Sequence, residues 1–192
     1  MKSLKIALLV IIAVVFVLPS CKKGKDDPFI SFKSRDARVT ANWKLTKIEG
    51  TTVSSPLTTT YSYDGSNFTK TTNSTPVQTT TGVGTFEMEI VKDGSMTFSE
   101  SYTLSGSTSA TVSTGTLNWL WYDSKKDKVN LELSGISSSS KLFMTADDIY
   151  YVDELKGKEM ILKVTSTNTS TTGTATPTTS STDLTYTFEK QK

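Results

Sequence analysis

Apolar and polar residues alternate in short runs along most of the chain after residue 40. Alternation with period two is typical of strands that bury one face. In the clearest run, Phe86, Met88 and Ile90 share one face, while Glu87 and Glu89 occupy the other. The other alternating runs lie at residues 43–47, 96–104, 129–133, 149–155, 159–164 and 184–189.

Turn signals separate these runs. Asp93-Gly94 stands between two of them and favours a tight hairpin turn. Residues 156–158, Lys-Gly-Lys, are predicted to turn a second hairpin between 149–155 and 159–164. A helix is predicted only near residues 34–41. The pattern therefore predicts an all-β fold of about eight to ten antiparallel strands, arranged as an up-and-down barrel or alternatively as a β-sandwich.

Residues 117–122 are apolar on both faces and rich in aromatic side chains. We expect this run to cross the most buried part of the sheet. Because successive side chains of a strand point to opposite faces, Trp119 and Trp121 share one face, and Leu120 and Tyr122 share the other. If both faces are buried, one faces the core and the other lies under a partner or a loop.

Serine and threonine supply close to a third of the chain and concentrate at residues 51–60, 71–81 and 165–182. We interpret these clusters as flexible surface loops, since their composition offers nothing to pack into a core. Their hydroxyl groups could also accept O-linked sugars or face a glycan. The third cluster is long for a loop of a compact domain. It either hides an edge strand or forms the variable rim of a binding mouth.

The N-terminus has the layout of an export signal. Lys2 and Lys5 precede thirteen uninterrupted apolar residues, 6–18. That run fits the ~7–15 residues of a secretory signal and is shorter than the ~20 of a membrane-spanning helix. The sequence 18–21, Leu-Pro-Ser-Cys, resembles the lipobox of bacterial lipoproteins. The resemblance implies cleavage after residue 20 and lipidation of Cys21. The alternatives are an ordinary signal peptide followed by a chance cysteine, or an uncleaved anchor.

Residues 21–33 are predicted to be the lipidated cysteine and a flexible tether, and residues 34–192 the folded domain. Two or more acyl chains at Cys21 would anchor the protein stably to a membrane. Asp26-Asp27 is similar to the acidic signal with which some Gram-negative bacteria export lipoproteins to the cell surface, although a solvated linker explains it equally well. We expect a lipid-anchored protein of the Gram-negative outer membrane, either periplasmic or on the cell surface.

Composition excludes several kinds of chemistry. The chain has no histidine and one cysteine. It therefore holds no Ser-His-Asp triad, Cys-His dyad, His-ligated zinc or internal disulfide. A net charge of +2 gives no electrostatic case for nucleic acid as a partner. We expect no cofactor and no enzymatic activity.

Carboxylate pairs are the remaining candidates for catalysis or metal binding. Glu87 and Glu89 lie about 7 Å apart on one strand face, a spacing that could serve glycoside cleavage. Asp147-Asp148 and Asp153-Glu154 offer oxygen ligands for calcium, but neither pair has the spacing of an EF-hand loop. We interpret all three as solvated surface groups and predict neither a catalytic nor a metal site.

The densest aromatic group comprises Trp119, Trp121, Tyr122, Tyr150 and Tyr151. These side chains could line a cavity for an apolar ligand or stack on a sugar ring. They could equally fill the interior of a barrel, which we favour because a barrel core needs most of the aromatic residues available.

A pre-strand turn, a tryptophan near the start of the first strand and a meander of hairpins resemble bacterial lipocalin-like lipoproteins. Residues 41–46, Ala-Asn-Trp-Lys-Leu-Thr, and 184–189, Leu-Thr-Tyr-Thr-Phe-Glu, carry this resemblance. It implies that Trp43 closes the floor of a barrel against a basic residue. Lipocalins have Gly-x-Trp here, and Ala41 takes the place of the glycine. The basic partner cannot be assigned by motif.

The leading hypothesis is a non-enzymatic, membrane-anchored carrier or sensor of a small apolar or amphipathic ligand. The alternative is a structural or surface-interaction β-domain that binds a glycan or another envelope protein. The candidate ligand-binding residues are Trp43, Trp119, Trp121 and Tyr151.

Overall fold

The structure, a computed structural model, describes residues 33–122, 128–134, 142–144, 148–170 and 178–192. The predicted signal peptide, Cys21 and nearly all of the tether lie outside the described residues. Among the helices of the described ranges, none has the length and apolar character needed to cross a membrane.

One short helix precedes ten strands. Helix α1 spans Arg35–Val39, within the predicted range, and Ser34 caps it by accepting a hydrogen bond from the Ala37 backbone N–H at 3.2 Å. The strands are β1 (Ala41–Ser54), β2 (Leu57–Tyr63), β3 (Asn67–Thr72), β4 (Gln78–Ile90), β5 (Ser95–Leu104), β6 (Thr111–Trp121), β7 (Asn130–Ser134), β8 (Asp148–Leu155), β9 (Glu159–Ser170) and β10 (Thr178–Lys190).

The strands form a closed antiparallel barrel in which chain neighbours pair and β10 returns to β1. This confirms the predicted all-β, up-and-down barrel at ten strands and excludes the β-sandwich. The predicted hairpin turns are also confirmed. Gly94 takes a φ of 93°, and Asp93 accepts a hydrogen bond from the backbone N–H of Ser95 at 2.8 Å. Residues 156–158 join β8 to β9.

The two ends of the barrel differ. The floor is the end where β1 begins and β10 finishes, and the mouth is the end where β1 finishes and β10 begins. At the floor, residues 41–44 of β1 pair directly with β4. Toward the mouth, residues 48–54 of β1 pair with β2 instead. The β2–β3 hairpin is therefore inserted only toward the mouth, which widens that end.

Inward-facing side chains change from large and apolar at the floor to small and hydroxylated at the mouth. On β10, Phe188, Tyr186 and Leu184 are buried, and Thr182 follows them toward the mouth. β9 repeats the change from Met160, Leu162 and Val164 to Ser166. The dry core therefore occupies the floor half of the barrel.

A β-bulge in β1 sets which residues face inward. The pairing with β10 shifts between Leu45 and Lys47. Trp43 and Leu45 face inward before the shift, and Ile48 does so after it. Because a bulge inserts one extra residue, the inward side changes from odd to even positions.

The serine- and threonine-rich clusters are largely strands, so their interpretation as loops was wrong. Residues 51–54 and 57–60 extend β1 and β2, and residues 165–170 and 178–182 continue β9 and β10 in register. Threonine is β-branched and suits a pleated surface. Its hydroxyl groups also meet across strands, as between Thr59 and Thr72 at 3.0 Å. Residues 171–177 lie outside the described residues.

Within the chain, residues 117–122 are buried on one face only, so the expected burial on both faces is wrong there, and cover by a partner stays a prediction. Leu117 and Trp119 are buried inside the barrel, but Leu120 and Tyr122 are exposed on the outer wall. No described residue covers this outer face.

Candidate functional site

Trp43 lies at the floor, where the lipocalin resemblance places it. Its side chain is 0% exposed, and its indole Nε1–H donates a hydrogen bond to the Val39 carbonyl at 2.7 Å. Two basic residues of α1 lie at this end. The Arg35 and Arg38 guanidinium groups donate to the carbonyl oxygens of Val152 and Leu155, respectively. Helix α1 is thereby fastened under the barrel, and Trp43 is enclosed by packing.

Trp121 and helix α1 are joined through Asp36. The Trp121 Nε1–H donates to Asp36 Oδ1 at 2.6 Å, and Lys128 forms an ion pair with Asp36 Oδ2. The Arg35 guanidinium carbon lies 5.7 Å from the Trp121 ring centroid, within cation–π range. Partial desolvation acts to raise the pKa of Asp36, but the hydrogen bonds from Lys128 and Trp121 and the nearby positive charges outweigh it and lower that pKa.

The four candidate ligand-binding residues do not meet in one place. Trp119 is buried near the floor, donates to the Val91 carbonyl at 2.7 Å and contacts Trp121 edge to face with ring centroids 6.0 Å apart. Tyr151 is exposed on the outer wall. Trp43, Trp119 and Trp121 therefore belong to the closed end of the barrel, and Tyr151 to a separate surface.

The middle of the barrel is filled by a segment between β7 and β8. Phe143 is buried, and its ring centroid lies 4.9 Å from that of Tyr63 and 6.3 Å from that of Phe86. The Leu142 and Phe143 backbone N–H groups donate to the buried Glu100 carboxylate at 3.4 and 3.5 Å. Phe143 therefore divides the core below it from the mouth above it.

Tyr63 shows how closed this level of the barrel is. Its hydroxyl donates to the Gly84 carbonyl at 2.9 Å. Burial, with a smaller contribution from the charge of Asp64, raises the pKa of Tyr63 to about 12. The phenol therefore stays neutral well above the pH at which an exposed tyrosine ionises.

A cavity of about 250 Å³ opens at the mouth above Phe143. Its lower wall is apolar and its rim carries hydroxyl groups. The apolar lining comes from Ile48, Val164, Leu184 and Tyr186, and the hydroxyl groups belong to Thr52, Ser166 and Thr182.

Lys70 is the one charged side chain among the described residues that line this cavity. It lies on β3 two residues after the buried Phe68, and therefore on the same inward face. Its ammonium nitrogen stands 5.5 Å from the ring centroid of Tyr61, which also lines the cavity. The mouth thus combines apolar surface, hydroxyl groups and one cation.

Of the predicted surface carboxylates, Glu87 and Glu89 are exposed, whereas Glu154 is only 4% exposed, so its interpretation as a solvated group was wrong. Glu87 and Glu89 are exposed on the outer face of β4, and Glu87 accepts a hydrogen bond from the Gln191 side chain at 2.8 Å. Asp153 pairs with Lys163 at 2.7 Å, and Glu154 pairs with Lys156 at 2.6 Å. Within the described ranges, no group of three or more acidic or cysteine side chains could hold a metal ion. Asp147 lies outside these ranges.

The chain matches no known family model, no curated protein and no solved structure. The candidate site therefore rests on its own geometry.

The residues of the mouth were not predicted from the sequence because they lie in stretches whose composition is typical of loops. The clusters predicted to be loops contain Thr52, Ser166 and Thr182. Lys70 lies among polar residues. One signal could have found Lys70 and Tyr61: both lie two residues from an aromatic residue that faces inward, Phe68 and Tyr63 respectively.

Proposed function

We propose that this protein is a non-enzymatic, membrane-anchored, lipocalin-like protein that binds a small apolar or amphipathic ligand at the mouth of its barrel. The observation that supports this proposal is the mouth cavity, with its apolar wall, its hydroxylated rim and Lys70 as the one cation among its described lining residues. A ligand would place its apolar part against Val164 and Leu184 and its polar part near Lys70 and the rim hydroxyls.

The size of the cavity limits the ligand. At about 250 Å³ it is smaller than the ~300–1,000 Å³ pockets that enclose drug-sized molecules. Phe143 blocks access to the space below it. The ligand is therefore small or only partly enclosed, and a long acyl chain would not fit entirely.

The lipid anchor belongs to the same proposal. Cleavage before Cys21 and acylation of that residue would hold the barrel at a membrane, with the Gram-negative outer membrane as the proposed location. Incorporation of labelled palmitate into the wild-type chain, lost in Cys21→Ser, tests this part separately.

The ligand proposal is tested with protein that lacks residues 1–21, after circular dichroism has verified its β-structure. A fluorescent amphiphile of moderate chain length is titrated into the wild type, Ser166→Phe and Thr167→Phe. Ser166 lines the cavity, whereas Thr167, one residue further along β9, faces outward. We expect saturable binding by the wild type and Thr167→Phe, and at least roughly tenfold weaker binding by Ser166→Phe, which fills the cavity.

Equal binding by the two phenylalanine variants would place the ligand elsewhere on the molecule. Absence of saturable binding to the wild type, across apolar and amphipathic probes, would contradict the proposal.

A further inference from the structure

The outer wall of the barrel carries a cluster of exposed apolar side chains along two strands, β6 and β8, which have β7 between them. Leu120 of β6 and Tyr122, just after β6, are 46% and 58% exposed, and on β8, Ile149 and Tyr151 are 41% and 40% exposed. Tyr151 was a candidate binding residue that has no place in the mouth. The cluster is independent of the cavity, because these side chains point away from the interior.

Strand pairing places polar residues between these apolar ones. β7 lies between β6 and β8, and its outward residues are polar. Neighbouring strands are about 4.8 Å apart, so the two apolar ridges stand about 10 Å apart. We call this arrangement the outer furrow. It consists of Asn130 and Glu132 of β7, with Leu120 of β6 and the following Tyr122 on one side and Ile149 and Tyr151 of β8 on the other.

The outer furrow is a groove with further polar groups along one side. An open groove of about 350 Å³ lies over Tyr122, Asn130 and Tyr151 and extends to β9, where Lys163 and Thr165 line it. Tyr151 and Lys163 are directly paired across the two strands. Because the lining residues belong mainly to paired strands, the groove has a fixed shape.

We infer that the outer furrow binds a neutral oligosaccharide or polysaccharide. A sugar ring has an apolar face of C–H groups and an edge of hydroxyl groups. The rings of Tyr122 and Tyr151 offer flat apolar surfaces with polar tips. Between them, the Asn130 amide both donates and accepts hydrogen bonds, and the Glu132 carboxylate accepts them from hydroxyl groups. The row formed by the Tyr122 ring, the Asn130 amide and the Tyr151 ring therefore matches the apolar faces and hydroxyl edges of a sugar chain.

The charges of the furrow favour an uncharged chain. Lys163 is held by Asp153 at 2.7 Å, and this hydrogen bond raises the pKa of Lys163, so its charge is already compensated. Glu132 adds a negative charge within the furrow. The described residues of the furrow therefore offer no excess positive charge to an anionic membrane surface or an acidic polymer. An apolar protein surface would bury the Glu132 carboxylate against groups that cannot hydrogen-bond, which is costly.

The test is affinity electrophoresis of the full chain in a polyoxyethylene detergent, which contains no sugar. Neutral glucan, mannan, galactan and xylan, and acidic polygalacturonate, are cast separately into native gels. We expect retardation by at least one neutral polymer and about tenfold weaker binding by Tyr151→Ala and by Tyr122→Ala. Tyr151→Phe keeps the ring and should keep most of the binding. Val112→Ala, which truncates a side chain that is also exposed on β6, serves as the matched control.

Retardation by none of the neutral polymers, or by polygalacturonate alone, would overturn the inference. Equal retardation of the wild type and the Tyr122→Ala/Tyr151→Ala double variant would also overturn it. If instead the wild type is dimeric and the double variant monomeric, with no retardation of either, the occupant is a second copy of the chain. Circular dichroism of each variant verifies that the barrel is intact.

Discussion

Asp36 links three parts of the chain through one carboxylate. It belongs to α1, and it accepts from Trp121 at the end of β6 and from Lys128 before β7. The sequence gives no sign of this, because the partners are separated from Asp36 by 85 and 92 positions. At the residue scale, the closure of the floor depends on a charged group that composition alone assigns to the surface.

Replacement of Asp36 by asparagine should make stability less dependent on pH. The pKa of Asp36 is lower in the folded protein than its ordinary value of 3.8. Its ionised form therefore stabilises the fold fully above about pH 4, and this contribution is lost as the pH falls through the folded pKa. We expect Asp36→Asn to lower the free energy of unfolding by about 1 kcal/mol at neutral pH. The difference in free energy of unfolding between this variant and the wild type should shrink as the pH falls toward about 3. Urea denaturation at several pH values measures it.

The matched control is Glu49→Gln. Glu49 forms an exposed ion pair with Lys47 at 2.7 Å, and both side chains are more than half exposed. Such a pair contributes little, so the control should change stability far less at neutral pH. If the free energies of unfolding of the wild type and Asp36→Asn differ by the same amount down to the lowest pH, the Asp36 charge does not stabilise the floor.

Local residue chemistry could be predicted where the signal is contained in a few neighbouring positions. Asp93-Gly94 specifies its own turn, and the prediction was confirmed. Lys70 and Asp36 differ, because their roles depend on residues brought near by strand pairing. A single sequence does not report that proximity.

At the scale of the element, β4 accommodates the aromatic core through glycine. An added Cβ at Gly82 would lie 2.3 Å from the Thr103 carbonyl oxygen and 2.6 Å from Cζ of Phe68. These distances are far below normal contact. The missing side chain at Gly82 is therefore the space that the Phe68 ring occupies.

Gly82→Ala should destabilise the protein, whereas Gly157→Ala should not. Overpacking against Phe68 and the Thr103 backbone is expected to cost about 1–3 kcal/mol. Gly157, in the β8–β9 turn, has no atom within 4 Å of an added Cβ, so alanine there should be neutral or stabilise by about 0.4–1 kcal/mol. Urea denaturation of both variants measures the two effects. Equal stability of both variants would mean that β4 can move away from Phe68.

Strand positions were predictable wherever apolar residues alternate, and unpredictable where threonine replaces them. The hairpins around Gly94 and Gly157 were found because large side chains mark their buried faces. Residues 165–170 and 178–182 pair in register without such marks. Their inward positions face the mouth, so they require no apolar side chain. The bulge in β1 also moves the inward-facing side chains from odd to even positions, and no sequence pattern marks it.

At the scale of the whole molecule, the barrel is filled below and open above. Among the residues that the structure describes, twenty-six buried hydrophobic ones form one cluster, and Phe143 lies at its upper boundary. The all-β barrel could be predicted from the number and spacing of strands. Its filling could not, because Phe143 comes from a connection between strands, which the alternation of apolar and polar residues does not mark.

Phe143→Ala should weaken the fold and enlarge the cavity. Loss of a buried phenylalanine side chain is expected to lower the free energy of unfolding by about 3–5 kcal/mol. In the amphiphile titration, the variant should bind probes with longer chains than the wild type binds. Val112→Ala, on the exposed outer wall, should change neither quantity. A cost below about 1 kcal/mol would indicate that Phe143 is not packed in the interior.

Because the floor is closed and the mouth is open, the two ends of the barrel are not equivalent. Helix α1 and the start of the folded chain are at the floor, so a tether from Cys21 would join the closed end. β10 is 13 residues long and, with the tilt usual in barrels, places the mouth roughly 30 Å further away. Where the tether holds the closed end at the membrane, the opening faces the aqueous side. The barrel would exchange ligand with molecules arriving from solution or from a facing surface, and not with the bilayer that holds it.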